Sequence, residues 1–488
     1  MNRSAAQLRR LCSGAVVALG LALLPAGASA GTTTVIAGTT TESSGLVSNY
    51  LIEVPSPWNG TLVLYSHGYS FPPPIGAPPP APQAAQDVGD AGTKAWLLDN
   101  GYAIAGSSYA TTGWALQQAF QDQIAVLDVF DQKVGHPART IAWGHSLGGM
   151  ITAGLVQLFP NRFTAALPMC GVVAGGPGVW NQGLDSEFAF GTLLAPTVKL
   201  VNFTSFGDAG ANFGAATAAL AAAQKTPQGQ ARIALSAALA DVPGWFDPAS
   251  PEPAATNYAA QELNQFKWDN NPDFLFGFFG RLELELRAGG NFSWNTGVDY
   301  RVQLSHSTDR AEVQALYATA GLDLNTDLDT LNNAQRISAD PNALAYVSKY
   351  ITYNGNLNMP VLTMHTTGDG LVEVTDEQAY ASVVRSAGDN SMLRQVFVHR
   401  AGHCRFSPAE TITAFKTLVN RIDTGRWEDS INPPSMNSQA TALGPAFNVV
   451  DVAVSGPPVI VPAPASFINF QPARFLRPFD ARDVADQG

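Results

Sequence analysis

Apolar and polar residues follow two alternating spacings along much of the chain. Short runs rich in β-branched and aromatic residues, such as "GYAIAGSSY" at 101–109 and "TIAWGHS" at 140–146, have the length and composition of buried strands. They are followed by "ALQQAFQDQIAVLDVFDQKVG" and "LGGMITAGLVQLF", in which apolar residues recur every three or four positions, as on one face of a helix. Strands alternating with helices predict an α/β fold, with a mostly parallel sheet flanked by helices.

The beginning of the sheet carries a different signal. Two apolar runs at 50–54 and 61–66 flank Asn59-Gly60, a dipeptide typical of hairpin turns, so we predict that these two strands pair in antiparallel. The proline-rich stretch "FPPPIGAPPPAPQ" at 71–83 is predicted to be a loop, because proline rings are excluded from the interior of sheets and helices.

The alternation stops at about residue 175 and resumes at about residue 346. The intervening residues are rich in alanine and contain helical patterns such as "NFGAATAALAAAQ", which predict a helical cap inserted between two strands of the sheet. We therefore expect a core in two parts, at 31–174 and 346–425, a cap at 175–345 and a C-terminal extension at 426–488 with no assigned role.

The first 30 residues have the three-part pattern of a cleavable secretory signal. Three arginines precede an apolar run at about 11–24, and Ala28-Ser29-Ala30 provides the small residues of a cleavage site. We predict cleavage after Ala30 and a secreted or periplasmic protein; the alternative, a lipid on Cys12, does not fit the arginines and leucine before it. No later apolar stretch reaches the roughly 18 residues of a membrane span, so no stable membrane anchor is expected.

Composition and charge narrow the range of partners. The chain has 488 residues, of which 46% are hydrophobic, enough for a large core. It carries 27 basic and 39 acidic residues and no long run of Lys or Arg, so nucleic acid is excluded as a partner. The segment 365–404 contains histidine, aspartate and cysteine, but their spacing matches no metal-ligand pattern, and neither a metal nor a cofactor is expected.

A candidate nucleophile lies where "TIAWGHS" meets the following helix. Gly144, Ser146 and Gly148 form the pattern G-x-S-x-G, in which the small residues let a tight turn close while the serine adopts a strained backbone conformation. The helix that begins there points unpaired N–H groups at any negative charge formed beside the serine. A serine that only caps the helix is the alternative.

A serine hydroxyl needs a base, and the base needs an acid that orients it. Asp369 and His403 each lie in a loop after a predicted strand, and the chain order Ser146, Asp369, His403 accompanies a serine at a strand-turn-helix junction. We therefore predict these three as the catalytic residues. The other candidates are predicted in or at the end of a helix or strand, and structural roles are expected for them: Glu373, Asp376, His365 and His399.

With His67-Gly68 after an early strand, these motifs make the chain resemble the α/β-hydrolases, and its "GHSLGG" form is similar to that of secreted esterases, lipases and some peptidases. The resemblance implies a serine hydrolase that cleaves carboxylic esters through an acyl-enzyme intermediate. It also implies an oxyanion hole formed by the backbone N–H groups of Leu147 and Tyr69. His67 is expected to support that loop rather than to carry a proton.

Two cysteines remain after the predicted cleavage, Cys170 and Cys404. In an exported protein such a pair is more often bridged than free. Cys170 ends the strand after the nucleophile helix and Cys404 follows His403, so both are expected at the rim of the site, and we predict a disulfide between them. Feruloyl esterases and tannases resemble this arrangement, but they have a further cysteine where this chain has His145.

Aromatic residues of the cap indicate an apolar roof over the site. We predict a pocket for a small or polymeric ester with a hydrophobic acyl or aromatic part, and packing in the core of the cap is the alternative for each aromatic residue. These residues are Trp180, Phe188, Phe190, Phe276 and Phe278.

Two other functions fit the sequence less well. A serine aminopeptidase or prolyl-type peptidase on the same fold would need carboxylates in the cap to hold a substrate amine, and Asp185, Glu187 or Glu262 meet that requirement. A non-catalytic binding protein is the second alternative. Such proteins usually lack a catalytic residue, whereas this chain keeps all three.

Overall fold

The structure of the chain, a computed structural model, describes residues 31–72, 83–428, 431–453, 457–480 and 482–483. The predicted secretory signal, Cys12 and most of the proline-rich loop lie outside the described residues. The strands are β1 (Thr33–Thr41), β2 (Val47–Pro55), β3 (Thr61–Ser66), β4 (Ala103–Ser107), β5 (Arg139–His145), β6 (Ala165–Met169), β7 (Val361–Gly368), β8 (Leu393–Ala401), β9 (Val449–Asp451), β10 (Ile460–Pro462) and β11 (Phe467–Ile468).

Helices cover the sheet and fill the predicted cap. They are α1 (Ala91–Asp99), α2 (Leu116–Lys133), α3 (Leu147–Leu158), α4 (Gly176–Leu194), α5 (Phe206–Ala223), α6 (Pro227–Ala238), α7 (Tyr258–Trp268), α8 (Arg281–Ala288), α9 (Tyr300–His306), α10 (Arg310–Ala320), α11 (Leu324–Asn333), α12 (Pro341–Lys349), α13 (Asp376–Ala387), α14 (Pro408–Thr424) and α15 (Pro433–Ala442). A short 3-10 turn, Pro160–Arg162, follows α3, and two π-helical turns, Asp269–Asp273 and Phe276–Gly280, lie between α7 and α8.

One sheet organises the core. Its strand order is β1-β2-β4-β3-β5-β6-β7-β8-β11, and β9 and β10 form a separate pair. The strands from β4 through β3, β5, β6 and β7 to β8 are parallel, whereas β1, β2 and β11 are antiparallel to their neighbours. The predicted α/β fold with a mostly parallel sheet flanked by helices is therefore confirmed.

The two faces of the sheet explain why β3 is apolar along its length. All six of its residues are buried. Leu62 and Leu64 pack in a core with α2 and α3, whereas Val63 and Tyr65 pack on the opposite face with α1 and α14. A strand covered on both sides has no solvent face, so its sequence shows no alternation of apolar and polar residues.

The predicted hairpin between the second and third strands is wrong. β4 lies between β2 and β3, and the antiparallel hairpin is formed by β1 and β2. The Asn59 N–H donates to the Gly101 carbonyl and the Ala138 N–H to the Gly60 carbonyl, both at 2.8 Å, so this turn packs on the starts of neighbouring strands. A turn dipeptide reports a local change of direction and not which strands become neighbours.

Helices α4 to α12 fill the interval between β6 and β7, where the sequence predicts a cap. Many of their apolar side chains form two large clusters, one around Phe188 and Leu235 and the other around Phe190 and Leu220. The cap thus has packed cores of its own. Of the helices in the described residues, none combines the length and the apolar composition needed to cross a membrane.

The C-terminal extension, to which the sequence assigns no role, ties the cap to the core. β11 adds to the sheet beside β8, and α15 packs against α14. Further along, the Leu476 N–H donates to Gln182 at 3.2 Å, and Arg477 forms an ion pair with the buried Asp185 at 2.5 Å. Both acceptors lie on α4, so the extension connects the sheet edge to the first helix of the cap.

Candidate active site

Ser146 lies in the turn between β5 and α3, where the sequence predicts a strained backbone. Its φ of 59° lies in the left-handed region, which residues other than glycine seldom adopt. The turn approaches the end of β3 so closely that a Cβ on Gly144 or Gly148 would lie 2.4 or 2.0 Å from the Ser66 carbonyl oxygen. Glycine is therefore required at both positions for the turn to hold the serine at the carboxyl end of β5.

His403 and Asp369 extend a chain of hydrogen bonds from Ser146. The Ser146 hydroxyl donates to His403 Nε2 at 2.8 Å, and His403 Nδ1–H donates to Asp369 Oδ2 at 2.8 Å. The other Asp369 oxygen accepts the N–H groups of Leu371 and Val372, each at 3.1 Å. The structure thus brings together the three side chains predicted as catalytic, in an arrangement that lets a base activate a hydroxyl and a carboxylate orient the base.

A second histidine, His365, contacts Asp369. It is fully buried, with Nε2 3.6 Å from Asp369 Oδ2 and Nδ1 3.1 Å from Glu377 Oε1. Burial opposes its charge, but the two carboxylates raise the pKa of His365 to about 10, so it is cationic at neutral pH. Burial would raise the pKa of Asp369, yet His403 and His365 hold it below its usual range. Asp369 is therefore ionised, as an orienting carboxylate has to be.

The other candidate acids and bases lie elsewhere. Asp376 begins α13 and accepts the N–H of Ala174 at 3.2 Å. His399, on β8, has a side chain 42% exposed, with Nε2 3.4 Å from Glu252. Glu373 lies in the turn before α13 and lines a cavity beside the serine. A structural role is predicted from the sequence for each of these residues, and only Glu373 among them lines the cavity.

The loop after β3 forms one side of the site. A Cβ on Gly68 would be 3.4 Å from the Ser146 Cβ, so this loop passes directly beside the serine. His67 stabilises the loop by donating its Nδ1–H to the Gly68 carbonyl at 2.7 Å. Within the described parts of the chain, the backbone N–H groups of Tyr69 and Leu147 have no acceptor. Two free donors beside a nucleophile meet the requirement for an oxyanion hole.

The predicted disulfide between Cys170 and Cys404 is present in the structure, with Cα atoms 5.3 Å apart. Cys170 follows β6, and its N–H donates to the Met364 carbonyl on β7 at 2.7 Å. Cys404 follows His403, and its sulfur lies 3.3 Å from His403 Nε2. The bridge therefore fixes the loop that carries the histidine to the same edge of the sheet as Ser146.

Replacing both cysteines by serine is expected to lower the free energy of unfolding by about 2 to 5 kcal/mol, because the bridge restricts a long loop in the unfolded chain. Urea unfolding of the purified double variant and the wild type measures this difference. Wild-type protein treated with a reductant is the control and should unfold at the same urea concentration as the variant. Equal midpoints for the oxidised wild type and the variant would show that the bridge contributes nothing to stability.

A cavity opens beside Ser146, between the cap and the sheet. Its apolar wall includes Trp180 and Phe276, two of the five aromatic residues predicted to line a pocket. Phe278, a third, is buried in the core of the cap. The aromatic lining is typical of a site for a small organic ligand.

The structure corrects the prediction for Phe188 and Phe190. The Phe188 ring stacks on Tyr300 with centroids 5.7 Å apart, and the Phe190 ring lies 5.0 Å from that of Phe274. Both pack in the cores of the cap. Glu187 is the last α4 residue that lines the cavity. Side chains of successive helix residues point in different directions, so the rings of Phe188 and Phe190 point away from the cavity.

The cavity also has an acidic wall, a group of four carboxyl side chains that is not predicted from the sequence. This acidic wall consists of Glu187, Asp269, Asp273 and Glu373. Of the three carboxylates predicted to hold a substrate amine, only Glu187 lines the cavity: Asp185 pairs with Arg477, and Glu262 accepts a hydrogen bond from Gln224. The sequence feature that points to this wall is "DNNPD" at 269–273, which places acidic residues directly before the aromatic run "FLFGFF".

Part of the chain matches a known family profile, and most of it is similar to one curated protein. A sequence profile described as the prolyl oligopeptidase family matches residues 101–175, from just before β4 to just before α4. The chain is 28% identical over 437 residues to an o-phthalyl amidase from Xanthobacter agilis. The match covers 84% of this chain and 92% of that protein. The matched profile segment contains Ser146 and Cys170.

Two solved structures also match over much of the chain. Feruloyl esterase B from Aspergillus oryzae has 14% sequence identity, with 81% of each chain covered and a TM-score of 0.41. The cell wall degrading esterase LipA from Xanthomonas oryzae has 11% identity, with 81% of this chain and 91% of that chain covered and a TM-score of 0.35.

Proposed function

We propose that this chain, a member of the α/β-hydrolase superfamily, is a serine hydrolase that cleaves carboxylic esters through an acyl-enzyme intermediate. The profile match and the amidase relative support a hydrolase in general. The observation that carries the proposal is the continuous hydrogen bonding from Ser146 through His403 to Asp369 beside an open cavity. This geometry also disfavours a non-catalytic binding protein, which would have no use for it.

The first half of the proposed reaction forms the acyl-enzyme. His403 Nε2 takes the hydroxyl proton of Ser146 while the oxygen attacks the ester carbonyl carbon. The carbonyl oxygen becomes negative and accepts hydrogen bonds from the N–H groups of Leu147 and Tyr69. Asp369 stabilises the protonated His403, which then gives its proton to the leaving alcohol as the carbon–oxygen bond breaks.

The second half of the reaction releases the acid. A water molecule takes the place of the alcohol, and His403 removes one of its protons while the water oxygen attacks the acyl carbon. The bond to Ser146 breaks, and its oxygen takes the proton back from the histidine. The products are a carboxylic acid and an alcohol, and the protein returns to its starting state.

Amide hydrolysis is the second candidate. The relative that covers most of the chain is named an amidase, and the matching profile is that of a peptidase family. The same chemistry cleaves an amide when His403 protonates the leaving amine. Amines leave less readily than alcohols, so a site of either kind is expected to hydrolyse activated esters.

The test of the proposed function compares both substrate types in one assay. Purified wild-type protein is given p-nitrophenyl acetate, butyrate and longer esters beside the p-nitroanilides of alanine and proline. We expect turnover of the esters, with a chain-length preference set by the apolar wall of the cavity. A higher kcat/KM for the anilides would replace the ester proposal by the second candidate, and no turnover of either type would contradict both.

We further propose that the protein acts outside the cytoplasm, on a small or polymeric ester with a hydrophobic part. The Cys170–Cys404 disulfide is compatible with an oxidising compartment. Trp114, Trp180 and Phe276 in the apolar wall suit a hydrophobic acyl or aromatic group.

A further inference from the structure

We infer that the natural substrate carries a positively charged ammonium group, which binds at the acidic wall of the cavity while Ser146 attacks the neighbouring carbonyl. The substrate class would be esters or amides of amino-substituted acids with an apolar body. This inference rests on the proposed function, because it concerns the substrate of the same site.

The acidic wall is assembled from separate parts of the chain. Glu187 comes from α4, Asp269 and Asp273 from the first π-helical turn, and Glu373 from the turn after β7. All four line the cavity that also contains Ser146. Among the described residues, no Lys, Arg or His side chain lines this cavity. The wall therefore presents carboxyl groups, and no basic side chain among the described residues, to whatever enters.

Two of these carboxyl groups are buried without partners. Asp269 is 3% exposed, and its Oδ2 has no hydrogen-bond donor in the described part of the chain. Both carboxyl oxygens of Asp273 are shielded from solvent and also lack a donor there. A buried carboxylate without a donor is destabilising, and native proteins usually satisfy such groups. The missing donor is what a bound ligand would supply.

The nearest cation compensates only part of the wall. Arg281, which is fully buried and outside the lining of the cavity, has Nη2 3.6 Å from Glu187 Oε2. In the described residues, no ion pair joins Asp269, Asp273 or Glu373 to a basic side chain. Burial, and then the charges of neighbouring carboxylates, raise the pKa of Asp269 to about 8. A carboxyl group with this pKa keeps its proton at neutral pH before a ligand binds. A bound ammonium group would favour the ionised form and donate the missing hydrogen bonds.

The rest of the cavity fits the body of such a substrate. Tyr69, Trp114, Trp180 and Phe276 form its aromatic side. Aromatic faces attract cations and pack against apolar groups, so this side and the acidic wall are compatible with one ligand. The amino-substituted substrate would place its ammonium group against the carboxylates and its apolar chain against the rings.

The first test uses ester pairs that differ only in the ammonium group. At pH 7, L-leucine methyl ester is compared with methyl 4-methylpentanoate, and methyl 6-aminohexanoate with methyl heptanoate, by measuring released methanol. In at least one pair, the wild type is expected to show a kcat/KM about 10- to 100-fold higher for the ammonium ester, the effect of a charged hydrogen bond. Equal values in both pairs, or a preference for the neutral esters, would overturn the inference.

Substitutions in the acidic wall test whether its carboxyl groups cause the preference for ammonium esters. Asp273→Asn and, independently, Asp269→Asn are expected to lower the ratio of ammonium to neutral kcat/KM by about tenfold or more. The matched control is Glu312→Gln, which removes a carboxylate buried in the same cap but outside the lining of the cavity, and it should keep the wild-type ratio. A wild-type ratio in both wall variants would overturn the assignment to the acidic wall.

A measurement on the wild type alone covers the case in which the wall variants do not fold. Hexylammonium is expected to inhibit hydrolysis of p-nitrophenyl butyrate competitively at a concentration about tenfold lower than 1-hexanol. Equal inhibition by the two compounds would overturn the inference. The proposed function would still stand in that case, provided that hydrolysis depends on Ser146. If no ester or anilide is hydrolysed, the proposed function fails, and the inference fails with it.

Discussion

Replacing Ser146 by alanine is expected to lower kcat/KM for p-nitrophenyl esters by about 10⁴-fold or more. The side chain supplies the oxygen that forms the acyl-enzyme. The hydroxyl that donates a hydrogen bond to His403 Nε2 is that of Ser146, so its removal leaves the base without a nucleophile to activate. Without that oxygen, only slow attack by water remains, helped by the donors of the oxyanion hole. The variant should still bind substrate, because the cavity walls are unchanged.

The measurement is steady-state hydrolysis by wild type and variant, with mass spectrometry of the protein after exposure to phenylmethylsulfonyl fluoride. Wild type is expected to gain the mass of one sulfonyl group, and Ser146→Ala to gain none. Ser236→Ala is the matched control. It removes a buried serine hydroxyl in α6 that, among the described residues, bonds only to the Arg232 carbonyl, and it should keep near-wild-type activity and labelling. Activity retained in Ser146→Ala would remove this serine from the mechanism.

Replacing Asp369 by asparagine is expected to lower kcat by about 10⁴-fold. Asp369 Oδ2 accepts the Nδ1–H of His403, which keeps Nε2 free to accept the serine proton. An amide at this position can donate instead of accept, so the ring is held in the wrong tautomer and the imidazolium loses its counter-charge. His365, cationic beside Asp369, adds to the penalty because the amide leaves it with the carboxylate of Glu377 alone.

A neighbouring carboxylate provides the control for this variant. Asp376 is buried, and burial is the main reason that its pKa is raised to about 8, so Asp376→Asn removes little charge at neutral pH. It accepts the Ala174 N–H, and its replacement is expected to lower kcat by less than about tenfold. Circular dichroism and urea unfolding show whether each variant is folded. Similar losses of activity in both folded variants would mean that Asp369 has no special part in orienting His403.

Much of the site could be predicted from the sequence because its parts are set locally. The glycines at 144 and 148 are required by the close approach of the turn to β3, and this steric demand appears in the sequence as a short motif between a strand and a helix. Asp369 and His403 could be predicted because loops after parallel strands meet at one edge of the sheet. Cys170 and Cys404 follow from the same order of strands and helices.

Other features could not be predicted because they depend on contacts between distant segments. The Asn59-Gly60 turn marks a change of direction, but β4, not β2, lies beside β3, since pairing is decided by how buried strands fill the sheet. Phe188 and Phe190 have the composition of pocket residues, yet the orientation of α4 places them in the cores of the cap. A structural role is predicted for His365 from the sequence, and only the two carboxylates that the fold places beside it make it a cation.

The sequence by itself determined the alternation of strands and helices, the turn that holds Ser146, and the order of the three residues in hydrogen-bond contact. These follow from backbone sterics and side-chain periodicity, which act over a few neighbouring residues. Only the tertiary structure decided which strands are neighbours, which aromatic rings line the cavity, and that acids from three segments meet in one wall. The reason is that burial and the balance of charge are properties of the packed molecule, and no short stretch of sequence records them.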